Sequence, residues 1–518
     1  MKPFMNIGFS HRVGPFLVLI VVFAGCSPID EPPDLSGPYY GQEVPGSEPR
    51  LFMPGLISTN EIDHCVGFLD GGRVCVFSIR EKGTYSSFEE GGRWSHPVEV
   101  PWRNERGATD FTVGPDGRTV YFQSSRLTGP GDERRDGNTW AVEWTGDGWT
   151  EPALLPPPVN TDEYSEWYPS VAPDGTVYFF STTRPDSSNG DIYRSRPVGA
   201  DYLEAERLPT PVNSDYYEVD PVISPDGRYL LFGSGRPGGY GLLDLYIAFS
   251  TPEGRWTNPV NAGPVLNPFS IPTRMSITPD GRYYFFPSRQ ETETWKGDEV
   301  VSPDIERWGD VDVYWVDTSF VSDLMASCVG KDSVTSVVAG EYTDHGVDSS
   351  AALLEKAFED GQDTHYFEMS EFMSFLGDLL QADKGGDAER LYRALLEIQV
   401  DRFRLDQGYA VTCIMNGQTA KGLELLGRLW EEHPSRRPTD DFMLAFQLRM
   451  KGRTEDELAV LRFLASESPE SAFAHFDLAA ALERRGLVEE ALRRCRTALE
   501  LRPSWDDAIR MQERLTQG

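Results

Sequence analysis

A β-propeller followed by an α-helical solenoid is the fold class that the sequence predicts, with β before α along one multidomain chain. Three observations predict it. The chain has 518 residues, more than a single hydrophobic core usually supports. An Asp-Gly turn recurs five times between residues 70 and 281. Glycines and prolines then recur at the period of helical hairpins up to the last residues.

The turn is Pro-Asp-Gly at Asp116, Asp174, Asp226 and Asp280, and Leu69-Asp70-Gly71 is a degenerate first copy. Intervals of 46 to 58 residues suit four short strands per blade. Each copy joins two β-rich runs, as in Ser170-Val171-Ala172 before and Val177-Tyr178-Phe179-Phe180 after. Glycine takes the positive φ of such a tight hairpin without steric cost. A basic residue follows nine or ten places after each turn Asp, at Arg80, Arg126, Arg184, Arg236 and Arg289. Third strands are read at Asp191-Ile192-Tyr193, Asp244-Leu245-Tyr246 and Asp312-Val313-Tyr314, with Asn138-Thr139-Trp140 as the variant. Fourth strands are read from Trp94, Trp149 and Trp256, each three residues before a proline. Val159-Asn160, Val212-Asn213 and Leu266-Asn267 lead into the next unit.

This unit resembles the TolB-type, WD40-like Pro-Asp repeat of bacterial envelope propellers; the resemblance covers roughly residues 38–320, and the domain is assigned to 38–325. The fifth unit stops after Tyr314-Trp315-Val316, so the apolar segment 49–59 is free to supply its outer strand and close the ring. Five blades are expected on that reading. The resemblance itself implies six, and the alternative of a less regular sixth blade stays open.

Residues 330–348 are polar and irregular, and 326–349 is read as a linker. Helical periodicity then holds over 350–518. Gly417, Gly452 and Gly486 mark mid-repeat turns, and Pro434, Pro469 and Pro503 each follow 17 residues later. Ala479, Ala491 and Ala498 let paired helices approach closely, and Pro503 stops the last of them. The pattern is similar to the tetratricopeptide repeat (TPR), with three units and a weaker one around Gly385.

The N-terminus carries a targeting signal. Lys2, His11 and Arg12 precede an apolar run over 13–23 that ends in Ala24-Gly25-Cys26. The run is shorter than the roughly 20 residues that span a bilayer. Its ending resembles the bacterial lipobox, which implies cleavage after residue 25 and lipid on Cys26, with 1–26 as the signal region and 27–37 as a Pro-rich tether. Ser27 rather than Asp after the Cys implies the outer membrane, facing the periplasm or the surface. In an oxidising compartment Cys65 and Cys75, which flank one predicted hairpin, could pair.

Acids outnumber bases 82 to 48, a formal net charge of -34 that repels nucleic acid. Enzyme signatures such as Gly-x-Ser-x-Gly beyond the signal or His-Glu-x-x-His are missing, the seven His are scattered, and neither cofactor nor metal is expected. A catalytic group is needed once, whereas the turn Asp residues, the Arg residues and Asp191, Asp244 and Asp312 recur, so they are read as scaffolding. Arg184 is expected to pair with Asp191, and Arg236 with Asp244. Glu61, Glu166 and Glu218 precede innermost strands and are candidates to ring the channel mouth and bind a cation, an amine or a basic peptide. No catalytic residue is assigned. The function expected is a membrane-anchored protein-binding scaffold with a partner of unknown identity. The rival class is a propeller hydrolase of glycans or peptides, which needs paired carboxylates at the channel mouth. The array is expected to carry the main partner surface, because its polar residues vary between units: Gln418, Lys421 and Glu424 against Arg453, Glu455 and Asp456.

Overall fold

The computed structural model describes residues 36–517 except 60–62, 80–81, 105–107, 128–136, 188–189, 200, 242, 268–272, 290–310, 360–364, 399–400, 434–441 and 504. Cys26, Glu61 and Arg80 lie outside the described residues, as does the side chain of Arg289.

Alternating β-branched and aromatic residues between the Asp-Gly turns form five antiparallel sheets. Blade 1 comprises Asp63–Leu69, Val74–Ile79, Gly83–Glu90 and Val98–Glu99. Blade 2 comprises Thr109–Val113, Thr119–Ser124, Asn138–Glu143 and Ala153–Leu154. Blade 3 comprises Trp167–Val171, Val177–Ser181, Asp191–Ser195 and Glu206–Arg207. Blade 4 comprises Glu218–Ile223, Tyr229–Ser234, Asp244–Phe249 and Val260–Asn261. In blade 5, Ser276–Ile277, Tyr283–Arg289 and Val311–Asp317 are completed by Arg50–Leu51 from the start of the chain. The propeller therefore has five blades.

The closing strand is short, but the residue after it is deeply buried. Arg50 faces Trp315 and Leu51 faces Tyr314, and the Phe52 amide donates to the Val313 carbonyl at 2.8 Å. The Phe52 ring is fully buried between Phe68 of blade 1 and Phe285 and Trp315 of blade 5. Burial of one such ring contributes about 2 to 3 kcal/mol, at least as much as two strand hydrogen bonds at about 1 kcal/mol each. Trp149 and Trp256 are not the first residues of fourth strands. They bridge back to Trp144 and Ser250, and the strands begin just after the prolines.

Twelve helices come next among the described residues. They are α1 (Ser319–Cys328), α2 (Val334–His345), α3 (Val347–Glu359), α4 (Met369–Gln381), α5 (Gly385–Leu396) and α6 (Arg402–Met415). After them come α7 (Thr419–Glu432), α8 (Phe442–Met450), α9 (Thr454–Glu467), α10 (Ala472–Arg484), α11 (Val488–Leu501) and α12 (Asp506–Gln517). The irregular linker expected over 326–349 is thus corrected: the segment is largely helical. Val321 and Cys328 of α1 pack into the propeller core, and Val334 and Val338 of α2 into the helical core, so a few well-spaced apolar residues tie a polar stretch to both.

The array is a TPR-like α-solenoid. Gly417, Gly452 and Gly486 take φ of 89°, 70° and 72° at the turns of the α6/α7, α8/α9 and α10/α11 pairs. In the weaker repeat the left-handed residue is Asp383, at φ 60°, and Gly385 already belongs to α5.

The first helices of three repeats pack against blade 4. Arg404 of α6 donates to the Gly238 carbonyl at 2.6 and 3.0 Å, and its guanidinium lies 4.2 Å over the Tyr240 ring. Phe446 of α8 meets Tyr217 edge to face, and Met443 packs on Val219 and Leu243. Glu368, which caps α4, accepts from the Asn261 amide at 3.2 Å. The approach is close enough that a Cβ on Gly408 would stand 3.0 Å from the Gly238 nitrogen.

Candidate functional site

The repeated residues build the frame. The Asp116 carboxylate accepts from the Arg118 and Thr119 amides, Asp174 from the Thr176 amide, Asp226 from that of Arg228 and Asp280 from that of Arg282. Each of these Asp residues locks a turn whose glycine has positive φ. Asn160 and Asn213 clamp the third strands of blades 2 and 3 through both amide atoms, and Asn267 does so in blade 4.

The expected Arg–Asp pairs are corrected. Arg184 donates to Glu166 at 3.0 Å, and Arg236 reaches Glu218 at 3.3 Å. Asp191 pairs instead with Arg207, and Asp244 accepts from the Tyr240 and Gly241 amides and from Asn261. Asp312 is buried opposite Ser288. Each of the two Arg–Glu pairs joins residues 18 apart at one end of a blade, with the guanidinium also stacked on the blade's own aromatics, Phe179 and Tyr193 or Phe232 and Tyr246. In blade 2, Ala108 stands where the acid would be, and Arg126 donates to the Trp102 carbonyl at 2.7 Å. Arg236 makes the equivalent bond to Val212.

Glu166 and Glu218 therefore do not ring an open channel mouth. Both are fully buried, and each also accepts from a hydroxyl, Thr161 or Ser214. Burial outweighs these partners and pushes the Glu166 carboxyl up to about 7. Burial raises Glu218 as well.

What converges on the channel axis is a set of residues whose place there sequence reasoning passed over. Cys65, Asp110, Tyr168, Asp220 and Arg274 all have left-handed backbone, with φ between 48° and 59°. In blades 1 to 4 the residue lies at a β-bulge of the innermost strand, where two residues oppose one and the alternation of faces is interrupted. Contacts between blades that are not neighbours place Cys65, Asp110, Tyr168 and Arg274 on the axis. Arg274 of blade 5 donates to Asp110 of blade 2 at 2.5 Å. The Cys65 sulfur of blade 1 is 3.8 Å from the Tyr168 hydroxyl of blade 3, which donates to the Met275 carbonyl of blade 5 at 2.9 Å. Asp220 of blade 4 accepts from the Arg274 amide at 2.9 Å.

The plug is dry at one level and wetter at another. Cys65 and Tyr168 are 1% exposed, whereas the Asp110 and Arg274 side chains are 17% and 35% exposed. Burial, with the nearby charge of Asp110, pushes the Cys65 thiol up to about 12 and the Asp220 carboxyl up to about 7. Asp110, more than any other group, holds Arg274 protonated. His64, next to Cys65, is also buried, and its ring nitrogen, the Cys65 sulfur and an Asp110 oxygen lie within 4.8 Å of one another.

The signal for this ring was present in the repeat. The five residues stand six positions before the turn Asp, or five before Asp70, yet they are Cys, Asp, Tyr, Asp and Arg. It is the register at which an otherwise repeated unit stops repeating. Cys65 and Cys75 are free thiols, buried in different clusters, so the pairing left open by the sequence does not form.

No family model matches the chain, and no curated protein matches it. Among solved structures it is similar to hydrazine synthase of Kuenenia stuttgartiensis, at 14% identity over 43% of this chain, with a TM-score of 0.28, and it spans 61% of that protein's length. It is similar to the tricorn protease at 12% identity over 70% of this chain and 33% of that one, TM-score 0.27. A structure of MamA AMB-1 matches at 18% identity over 28% of this chain and 79% of that one, TM-score 0.17.

Proposed function

We propose that this chain is a TolB-type, lipid-anchored scaffold of the bacterial cell envelope that binds a protein partner through the free end of its helical array. The observation that carries this reading is the division of labour between repeats. The bonds and ring contacts that hold blade 4 are made by Glu368 at the start of α4, by Arg404 of α6 and by Gln447 and Phe446 of α8, which leaves the last repeat for another task. That free end holds Trp505 with Phe473 and Phe476 at 4.6 and 4.5 Å, all half-buried, and Arg502 lies 5.3 Å over the Trp505 ring. Leu501, beside them, is 43% exposed. Large aromatics with a stacked Arg are the residue types that dominate binding energy at protein interfaces. The rival hydrolase would need free paired acids, and Glu166 and Glu218 are each tied to an Arg of their own blade.

The test uses the full mature chain as cross-linking bait in its own envelope. One partner captured by the wild type and lost with Trp505→Ala and Phe476→Ala, at unchanged helical circular dichroism, is the expected result. Equal capture by wild type and variants overturns the placement of the surface. The anchor has its own measurement: Cys26→Ala is expected to move the protein from the membrane fraction to the soluble one, and retention at the membrane overturns it.

A further inference from the structure

We propose that His64, Cys65 and Asp110, at the centre of the propeller channel, form a binding site for a thiophilic divalent cation, with Zn²⁺ the ion they fit best.

A regular strand would point His64 and Cys65 to opposite faces. The bulge at Cys65, with φ 48°, interrupts that alternation and lets adjacent residues of blade 1 both face Asp110 of blade 2. Imidazole, thiolate and carboxylate are the three donor types that zinc accepts, and three protein ligands leave a fourth tetrahedral position for water or a ligand. Donor atoms around a tetrahedral Zn²⁺ stand roughly 3.3 to 3.8 Å apart. The three donors here, within 4.8 Å of one another, need to close by about 1 Å, a side-chain adjustment.

Charge points the same way. Arg274 meets two carboxylates, Asp110 through its guanidinium and Asp220 through its backbone amide, in a site largely shielded from water. A divalent ion that displaces the Cys65 proton to solvent brings two positive charges against one new negative charge, beside the Asp110 and Asp220 carboxyls. Asp110 uses one oxygen for Arg274 and retains the other for a metal. The partly exposed Asp110 and Arg274 side chains mark the way in from solvent. The Tyr168 hydroxyl lies 3.8 Å from the Cys65 sulfur and borders the site.

The experiment loads chelator-treated full-length protein with Zn²⁺ and, separately, with Co²⁺. One zinc per chain after dialysis and a thiolate-to-Co²⁺ charge-transfer band are expected. The band is expected to vanish in Cys65→Ser and to weaken or shift in Asp110→Asn, while Cys75→Ser, a buried thiol outside the cluster, leaves it intact. Cys65→Ser protein that has lost its native circular dichroism is replaced by His64→Asn for the same reading. Absence of stoichiometric zinc, or a Co²⁺ band that survives loss of Cys65 or follows Cys75, overturns the site. These readouts do not depend on any protein partner, so the metal site and the scaffold reading stand or fall separately.

Discussion

Arg184 lies inside blade 3 with its guanidinium 3.0 Å from the Glu166 carboxylate, and both side chains are at most 8% exposed. Removing one partner of such a pair leaves the other charge buried alone. Arg184→Ala is expected to cost about 3 kcal/mol in urea unfolding, and the double change with Glu166→Gln is expected to cost less than the two singles added. Additive costs would show that the pair is not coupled.

The same carboxyl gives a pH dependence with a defined sign. Its folded-state value of about 7 lies above the ordinary value of 4.5, so between these limits the folded state binds the extra proton. The stabilisation is fully present below pH 4.5 and is lost as pH rises through 7. The stability of wild type minus that of Glu166→Gln, followed by unfolding from about pH 4.5 to about pH 7.5, is expected to fall steadily; a flat difference contradicts it.

The joint between propeller and array rests on Arg404, Gly408 and Gly238. The halves are therefore expected to unfold in one calorimetric transition. Arg404→Ala with Gly408→Leu is expected to split it in two, because a side chain at 408 has no room against the Gly238 backbone. A single unchanged transition in that variant would place the coupling elsewhere.

Phe52 closes the ring. Its truncation to Ala removes a fully buried ring from between the first and last blades and is expected to cost about 3 to 5 kcal/mol, read from chemical denaturation of the β signal. A loss under about 1 kcal/mol would mean that the ring closes without it.

The blades were legible because each Asp-Gly turn advertises itself locally, and the missing fourth strand after Tyr314-Trp315-Val316 pointed back to residues 49–59. The helical hairpins were legible for the same reason, through Gly417, Gly452 and Gly486. Partners in space were harder. Nearness in sequence suggests Asp191 for Arg184, whereas the strand reversal returns it to Glu166, 18 residues back. The helices of 326–349 are hidden by polar composition, since Cys328, Val334 and Val338 reveal their use only once two cores exist to receive them. The channel residues escape a search for repeats because their register carries Cys, Asp, Tyr, Asp and Arg rather than one residue type.

The strand formed by Arg50–Leu51 also sets an order on biosynthesis. Its partner, Val311–Asp317, is made more than 250 residues later, so a nascent chain holds its earliest strand idle until the fifth blade has emerged. Any product that ends before residue 311 is an open arc. It has an unpaired edge at blade 1's flank and a bare aromatic face around Phe52 and Phe68, the surfaces on which incomplete β-chains stick to one another.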